Sequence, residues 1–485
     1  MILIYLILVP VIAGILSWLA GRLYQWMPRI ISALSLVLCL ILVILRLVSG
    51  ELNDSHWTAE YSLSWIPQVG IGVHLAVDGL SVLLLLLTFF IGLIAVLLTR
   101  ESKQPGFLFF NILLCIAGIE GVFMSADLFL FYFFWELMIV PIYFIISIWG
   151  DSNRMKAANK FFIYTQAGGL LMLLSIASLY FIHGNSTGIY TFDLKALKET
   201  PVSLSLQLLL MGGFLAAFLV KLPAFILHTW LPDAYTEAPL AGTIILACLM
   251  SKTAVYGLLR YTLPLFPEAS VVFAPYGMAL GVIGILYGAK LAYAQSDLKK
   301  LITYTSMSHM GFMLPGIYAF NQIAYQGVVI QMIAHSLSTC AIFIISDQLY
   351  IRLNTRNLNN MGGLWNEIPS MGAMGLFFSM ALLGLPGLGN FIGEFLILGG
   401  AFRTSILFTS IASAGLIFST VYALKIMQKA FFGEPYGERH LKDLSAGESL
   451  ITGIFVIAVL FIGLFPQPVI NMADSAIENI AIWIK

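Results

Sequence analysis

The sequence predicts an all-α polytopic membrane protein, and three observations carry that prediction. Of its 485 residues 60% are hydrophobic and only 10% charged, where soluble globular domains carry about a quarter charged. Several runs stay apolar over the roughly 17 to 25 residues that a helix needs to cross hydrocarbon. The runs are continuous and do not alternate, which argues against a β-barrel of alternating segments about ten residues long. Backbone hydrogen bonding in lipid excludes an open sheet.

In chain order, spans are expected at Ile2 to Ala20, Ile30 to Leu47, Ser81 to Thr99, Phe107 to Phe123, Leu128 to Trp149, Phe161 to Ile182 and Leu204 to Leu222. They continue at Pro239 to Tyr261, Val271 to Ala294, Leu301 to Phe320, Ile323 to Tyr350, Met371 to Ala401, Ile406 to Ala430 and Leu450 to Phe465, which makes about fourteen helices. The first has no basic leading segment and no obvious small-x-small cleavage site, so it reads as a retained anchor.

Lys and Arg set the orientation. Connections after odd-numbered spans hold fourteen of the 24 basic residues, among them Lys103, and the opposite side holds six: Arg46, Lys195, Lys198, Arg260, Arg403 and Lys485. The positive-inside bias then predicts cytoplasmic odd connections and both termini on the periplasmic side. Lys221, Lys252, Lys290 and Lys425 fall within spans. Lys425 lies one turn before Lys429 and reads as a snorkelling side chain.

Soluble-enzyme signals are missing. The four cysteines are isolated in apolar spans without a CxxC pair, so they read as packing residues and not as zinc or iron–sulfur ligands. The stretch Gly387-Leu-Gly389-Asn-Phe-Ile-Gly393 has the wrong last spacing for a dinucleotide fingerprint, and no Walker A motif is found. Zero net charge without a basic cluster argues against nucleic acid.

Two spans carry Pro and Gly where the run should lie at membrane depth, at Lys221-Leu-Pro223 and at Gly384-Leu-Pro-Gly-Leu-Gly389. Proline removes an amide donor and clashes with the preceding turn, so each is an expected break. Non-helical backbone persists at that depth only inside protein or beside a water-filled cavity. Pro386 follows Pro223 by 163 residues, and the span starting near Val271 follows the one starting near Phe107 by 164. One offset fits both pairs. Two five-helix repeats follow, each with a broken helix, and an odd helix number makes the second inverted relative to the first. The domain organisation reads as residues 1–105 for the first three helices, 106–262 and 263–432 for the repeats, and 433–485 for a connection and the last helix.

A charge at the centre of a membrane helix costs about 2.5 to 3.5 kcal/mol, so each one is a functional candidate. Glu136 lies mid-span in FYFFWELMIVP, Lys221 at the first break, Lys252 in LMSKTAVYG, and Glu394 just after the second break in GNFIGEF. The bland alternative for each is a structural ion pair or a snorkelling side chain. A nearby carboxylate favours the charged form of a buried lysine, so opening or closing one pair would load or unload a proton. His309 lies in TSMSHMG, and Gln331, His335 and Ser338 share a helical face by i, i+4, i+7 spacing. Imidazoles and hydroxyls in series carry protons without a cofactor. Taken alone, a buried histidine reads equally well as a core residue. The aromatic stretch Phe129 to Trp135 reads as lipid-facing or packing surface.

FFWELMIVPIYF, KFFIYTQA, VKLPAFILHTWLPDAYTEAP, SKTAVYGLLR, AQSDLKKLITYTSMSHMGF, AYQGVVIQMIAH and LPGLGNFIGEF resemble the antiporter-like subunits of respiratory complex I, in order and from VHLAVDGLS near Asp78 to FPQP at Phe465. The resemblance implies a fourteen-helix fold with inverted repeats and a proton channel in the membrane arm of an NADH-quinone oxidoreductase. It implies that Glu136 pairs with Lys221, that Lys252 is the central relay, that Glu394 is the exit carboxylate, and that His309 and His335 lie on the axis with His228 of HTWLPDA nearby. Tyr235 stands where the family usually has histidine, so no relay is expected there, and Lys290 is left outside the set.

The same resemblance implies that this chain holds no cofactor. NAD, FMN, iron–sulfur clusters and quinone are expected in partner subunits, with neighbouring membrane-arm subunits and the lipid of the bacterial inner (plasma) membrane as partners. Two other readings stand beside it: a subunit of an Mrp-type Na+/H+ antiporter or membrane hydrogenase, and a structural spacer without its own channel.

Overall fold

A computed structural model of the chain describes residues 1–48, 57–100, 102, 104–435, 437 and 439–482. Lys103 and Lys485, counted above for orientation, lie outside the described residues. Twelve helices are long and apolar enough to cross a membrane: Ile2–Ala20, Met27–Leu47, Gly79–Leu98, Pro105–Met124, Leu128–Trp149, Arg154–Thr187, Leu204–Lys221, Leu240–Leu265, Pro267–Ala294, Gln322–Leu353, Ile406–Phe432 and Ala446–Leu464.

Two of the expected spans are missing from these twelve because each is divided into shorter helices. The tenth is Leu298–Gly311 followed by Met313–Ile317, and the interruption has a local cause, because Pro315 lacks the amide that would bond the carbonyl of Gly311. The twelfth is Pro369–Leu383 and Gly389–Thr404. Between them Gly384 and Gly387 take φ of +78° and +95° around Pro386, a conformation that favours glycine. The seventh span ends at Lys221, and helix resumes only at Leu231–Glu237.

The chain is not purely helical. Ala59–Ile66 and Ile71–Val77 pair as an antiparallel hairpin with Glu60 opposite Ala76 and Ser62 opposite His74. Gly70 closes its turn at φ +65°, and a Cβ there would lie 1.9 Å from the carbonyl oxygen of Tyr190. A further helix, Gln467–Ile482, follows the last span.

Carboxylates start several helices by accepting orphan amides. Asp78 accepts from Ser81 N at 3.0 Å, Asp127 from Phe129 N at 2.8 Å and Leu130 N at 3.0 Å, and Asp297 from Lys300 N at 2.9 Å.

Two compact units are formed. The first comprises the described residues of Met1–Leu222, Glu237–Phe273 and Asn471–Lys485, and the second those of Pro223–Thr236 and Ala274–Ile470. Burial is distributed as a bilayer protein requires. Ile163, Leu174, Ile417 and Ile457 are 64–70% exposed on span surfaces, where lipid is their solvent. The apolar windows of Leu240–Leu265 and Gln322–Leu353 are entirely buried, and these two helices carry Lys252 and His335. Helices screened from lipid on every side are where charge is cheapest to keep.

Candidate functional site

In the first unit, Glu136 lies at a local disruption of its span. Helix Leu128–Leu137 gives way at Met138 before Ile139–Trp149, because Pro141 has no amide for the carbonyl of Leu137. The buried Oε1 of Glu136 makes no hydrogen bond. Gly169 gives it room: a Cβ at that position would lie 2.3 Å from Oε1.

Lys221 is the last residue of Leu204–Lys221 and is 2% exposed. Its Nζ makes no hydrogen bond and sits 3.7 Å from the centre of the Trp135 ring, within reach of a cation–π attraction. Among the described residues no ion pair joins Lys221 to Glu136. The pair implied by the resemblance is therefore open, with the indole resting against the ammonium. Trp135, read from the sequence as lipid-facing or packing surface, is a contact of the Lys221 ammonium.

Lys252 is fully buried. Its Nζ donates to Ala247 O at 3.0 Å and to Ser251 Oγ at 3.2 Å. The helix around it has two π-type stretches, Ile245–Met250 and Leu258–Thr262. Such widened turns frequently mark functional positions, and here one lies on each side of the lysine. Two turns further on, Arg260 ion-pairs with Asp78, and Tyr256 OH bonds Ser81 Oγ at 3.1 Å.

The second unit holds a hydrogen-bonded cluster. His309 Nδ1 donates to Glu394 Oε1 at 2.7 Å, Gln331 Nε2 donates to the same oxygen at 3.2 Å, and Tyr422 OH lies 3.0 Å from His309 Nε2. With Nδ1–H directed at Glu394, Nε2 of the neutral ring accepts the Tyr422 hydroxyl. A protonated ring reverses that one bond, so the cluster holds a proton without losing a contact. The other carboxylate oxygen, Oε2, has no partner and faces the second break, 2.9 Å from where a Cβ on Gly384 would stand. The ring of His335 is 5.8 Å from that of His309, and Asn390 Nδ2 bonds Ser338 Oγ at 3.0 Å.

The structure thus brings together His309, His335 and Glu394 in one unit, and Glu136, Lys221 and Lys252 belong to the other. His228 belongs to the second unit, where it packs between aromatic rings, 5.4 Å from Tyr287 and 6.5 Å from Phe225. Lys425 donates to the carbonyls of Tyr293 at 2.5 Å and Gln295 at 2.8 Å.

Three residues escaped the sequence reading. Tyr422 and Trp135 are ordinary aromatics until folding sets them against His309 and Lys221. Glu120 gave a signal, a lone glutamate in the apolar run GIEGVF. It is fully buried with neither carboxyl oxygen hydrogen-bonded.

Residues 125–420 match the family model described as NADH:quinone oxidoreductase/Mrp antiporter, TM. NADH-quinone oxidoreductase subunit M of Escherichia coli strain K12 is 47% identical across the whole chain and 98% of its own length. The subunit M of Pseudomonas aeruginosa is equally similar, at 47% over the same shares. Among solved structures, a chain of respiratory complex I from Thermus thermophilus with bound NADH superposes with a TM-score of 0.90 at 28% identity, covering all of both chains. A chain of the Mrp complex from Dietzia shares the fold alone, with a TM-score of 0.85 at 18% identity over 99% of this chain and 97% of that one.

Proposed function

The chain belongs to the NADH:quinone oxidoreductase/Mrp antiporter family, and from that premise we propose that its buried Glu, Lys and His side chains carry the protons. The protein is a proton-translocating, multi-pass membrane subunit of a bacterial complex I, embedded beside other membrane-arm subunits. NADH oxidation and quinone reduction then fall to partner subunits holding NAD, FMN, iron–sulfur clusters and quinone. In this reading residues 106–262 and 263–432 are inverted repeats, and both termini face the periplasm.

The observation that carries the proposal is the open pair in the first unit. Lys221 is buried with an unbonded ammonium, and Glu136 has an unbonded carboxylate oxygen. Closing that pair stabilises the charged lysine, and opening it releases the proton. A push from a neighbouring subunit that moves the Leu204–Lys221 end toward Glu136 would therefore change the proton affinity of the lysines, Lys252 included. Glu394 and His309 receive and pass a proton within the second unit, with His335 beside them and the unbonded Oε2 of Glu394 directed to the break at Gly384. His228 has a weaker claim, since its surroundings are aromatic.

The test is NADH-driven, quinone-coupled proton uptake by inverted vesicles carrying Lys252→Met, with assembly checked on a native gel. The proposal expects an assembled complex with uptake and electron transfer both lost. Uptake at the unmodified rate would leave a spacer role.

A further inference from the structure

A cavity of about 260 Å³ opens in the first unit, away from the Lys221 and Lys252 side chains. Its walls come from the hairpin, the short helix Leu194–Lys198, the Arg260 end of Leu240–Leu265, and Gln467–Ile482. Of the six basic residues on the side of the chain that is poor in Lys and Arg, three converge here: Lys195, Lys198 and Arg260. Burial, and then the adjacent positive charge of Arg260, push the Lys198 amine down to about 8.

Two carboxylates, Glu60 and Glu199, line the same space, and Asp193 and Asp78 lie behind its walls as partners of His74 and Arg260. Glu60 is engaged by His74 Nε2 at 2.7 Å, and the other ring nitrogen, Nδ1, lies 2.6 Å from Asp193. Asp78 is engaged by Arg260. Glu199 remains on the wall, opposite in sign to the two lysines. A simple anion would meet these carboxylates, and a simple cation would meet the lysines. A ligand with a phosphate and a primary ammonium a few atoms apart satisfies both. Trp57 and Ile480 supply apolar wall, and tryptophan favours the membrane interface. The volume falls just below the range of about 300 to 1,000 Å³ usual for small-molecule pockets, enough for a headgroup whose acyl chains stay in the bilayer.

We propose that this cavity holds the zwitterionic phosphoethanolamine headgroup of a phospholipid, with the phosphate on Lys195 and Lys198 and the ammonium on the Glu199 and Glu60 side. The site is independent of the proton route, and its occupancy ties the hairpin and the Gln467–Ile482 helix to lipid.

The test uses the intact complex in phosphatidylcholine nanodiscs with a photoactivatable phosphatidylethanolamine, the labelled peptides being identified by mass spectrometry. Labelling is expected on residues 57–74 and 194–199. Unlabelled phosphatidylethanolamine should compete, and phosphatidylglycerol and inorganic phosphate should not. A Lys195→Gln/Lys198→Gln complex should label at least about tenfold less, since even one of the two charge-assisted hydrogen bonds lost is worth about that factor. Equal competition by phosphatidylglycerol or by free phosphate would overturn the zwitterionic assignment, a result the unmodified complex gives without any variant. Undiminished labelling of an assembled double variant would overturn the site.

Discussion

In the first unit the Lys221 ammonium rests on an indole ring with no hydrogen bond, and the nearest carboxylate of the set, Glu136, leaves an oxygen idle. In the second unit the Glu394 carboxylate accepts from His309 and Gln331, and the same imidazole meets Tyr422. The two arrangements use similar residue types, and each leaves one carboxylate oxygen unbonded, but only the second joins its basic group to its carboxylate. An unbonded buried polar group costs about 1 to 3 kcal/mol, a cost that pairing Lys221 with Glu136 would relieve. The second is a hydrogen-bonded cluster that orients His309, Gln331 and Tyr422 around one carboxylate oxygen, while Glu394 Oε2 and Gln331 Oε1 stay unbonded. A switch needs the first kind of site, and a relay needs the second.

The comparison breaks most visibly if the His309–Glu394 cluster is cut. Glu394→Ala leaves the His309 and Gln331 donors unsatisfied, at about 1 to 3 kcal/mol each. The expected outcome is lost proton uptake and a lower melting temperature of the assembled complex. Glu394→Gln keeps the volume and should abolish uptake with a smaller change in melting. Equal uptake in both variants and the unmodified complex would make the network purely structural.

The open pair is next. Gly169→Ala places a Cβ 2.3 Å from Glu136 Oε1, so the carboxylate must move. Because small misplacements of a reacting group have large effects on rate, turnover should fall by on the order of tenfold, with the complex still assembled. A turnover equal to that of the unmodified enzyme would mean that the position of Glu136 is unimportant.

A smaller effect is expected from Tyr422→Phe. It removes one hydrogen bond at His309 Nε2, worth about 1 kcal/mol. Uptake should slow severalfold without stopping, and its pH profile should shift because the neutral ring loses its donor. A flat response would show that Tyr422 only packs.

The smallest effect lies outside the membrane-spanning helices, where the hairpin is tied to Asp193 through His74. The hydrogen bond to Asp193 holds the His74 imidazole above its ordinary range, against the opposing effect of burial. A raised folded-state value means that its stabilising share is complete below the ordinary histidine value and disappears as pH rises through the raised one. Burial pushes Asp193 up, but the His74 bond and backbone amides hold it below the usual carboxylate range, so its share is lost only in acid. Hydrogen exchange of the Ala59–Ile66 amides should accelerate as pH rises above the ordinary histidine range, beyond the intrinsic rate increase, and His74→Gln should remove that excess.

Much of this architecture could be read from the residues in sequence. The breaks at Lys221 and Gly384 were legible because Pro and Gly act on the local backbone, and the mid-span charges because lipid makes each one conspicuous. The hairpin had a signal too, the alternation Glu60, Ser62, Ser64 against Tyr61, Leu63, Trp65 before a Pro and a Gly, but it was small beside the long apolar runs. The division of the tenth span depended on one proline. What could not be read is tertiary: that Trp135 and not Glu136 lies against Lys221, that Tyr422 completes the His309 chain, and that the Lys252 helix widens into π turns on both sides.

The most direct test of the account is NADH-driven proton uptake by inverted vesicles carrying Lys221→Ala, read against native-gel assembly. An open, switchable lysine predicts an assembled complex in which uptake and quinone-coupled electron transfer are both lost. Pumping at the unmodified rate in such a complex would contradict the account, because the unbonded ammonium would then have no part in moving protons.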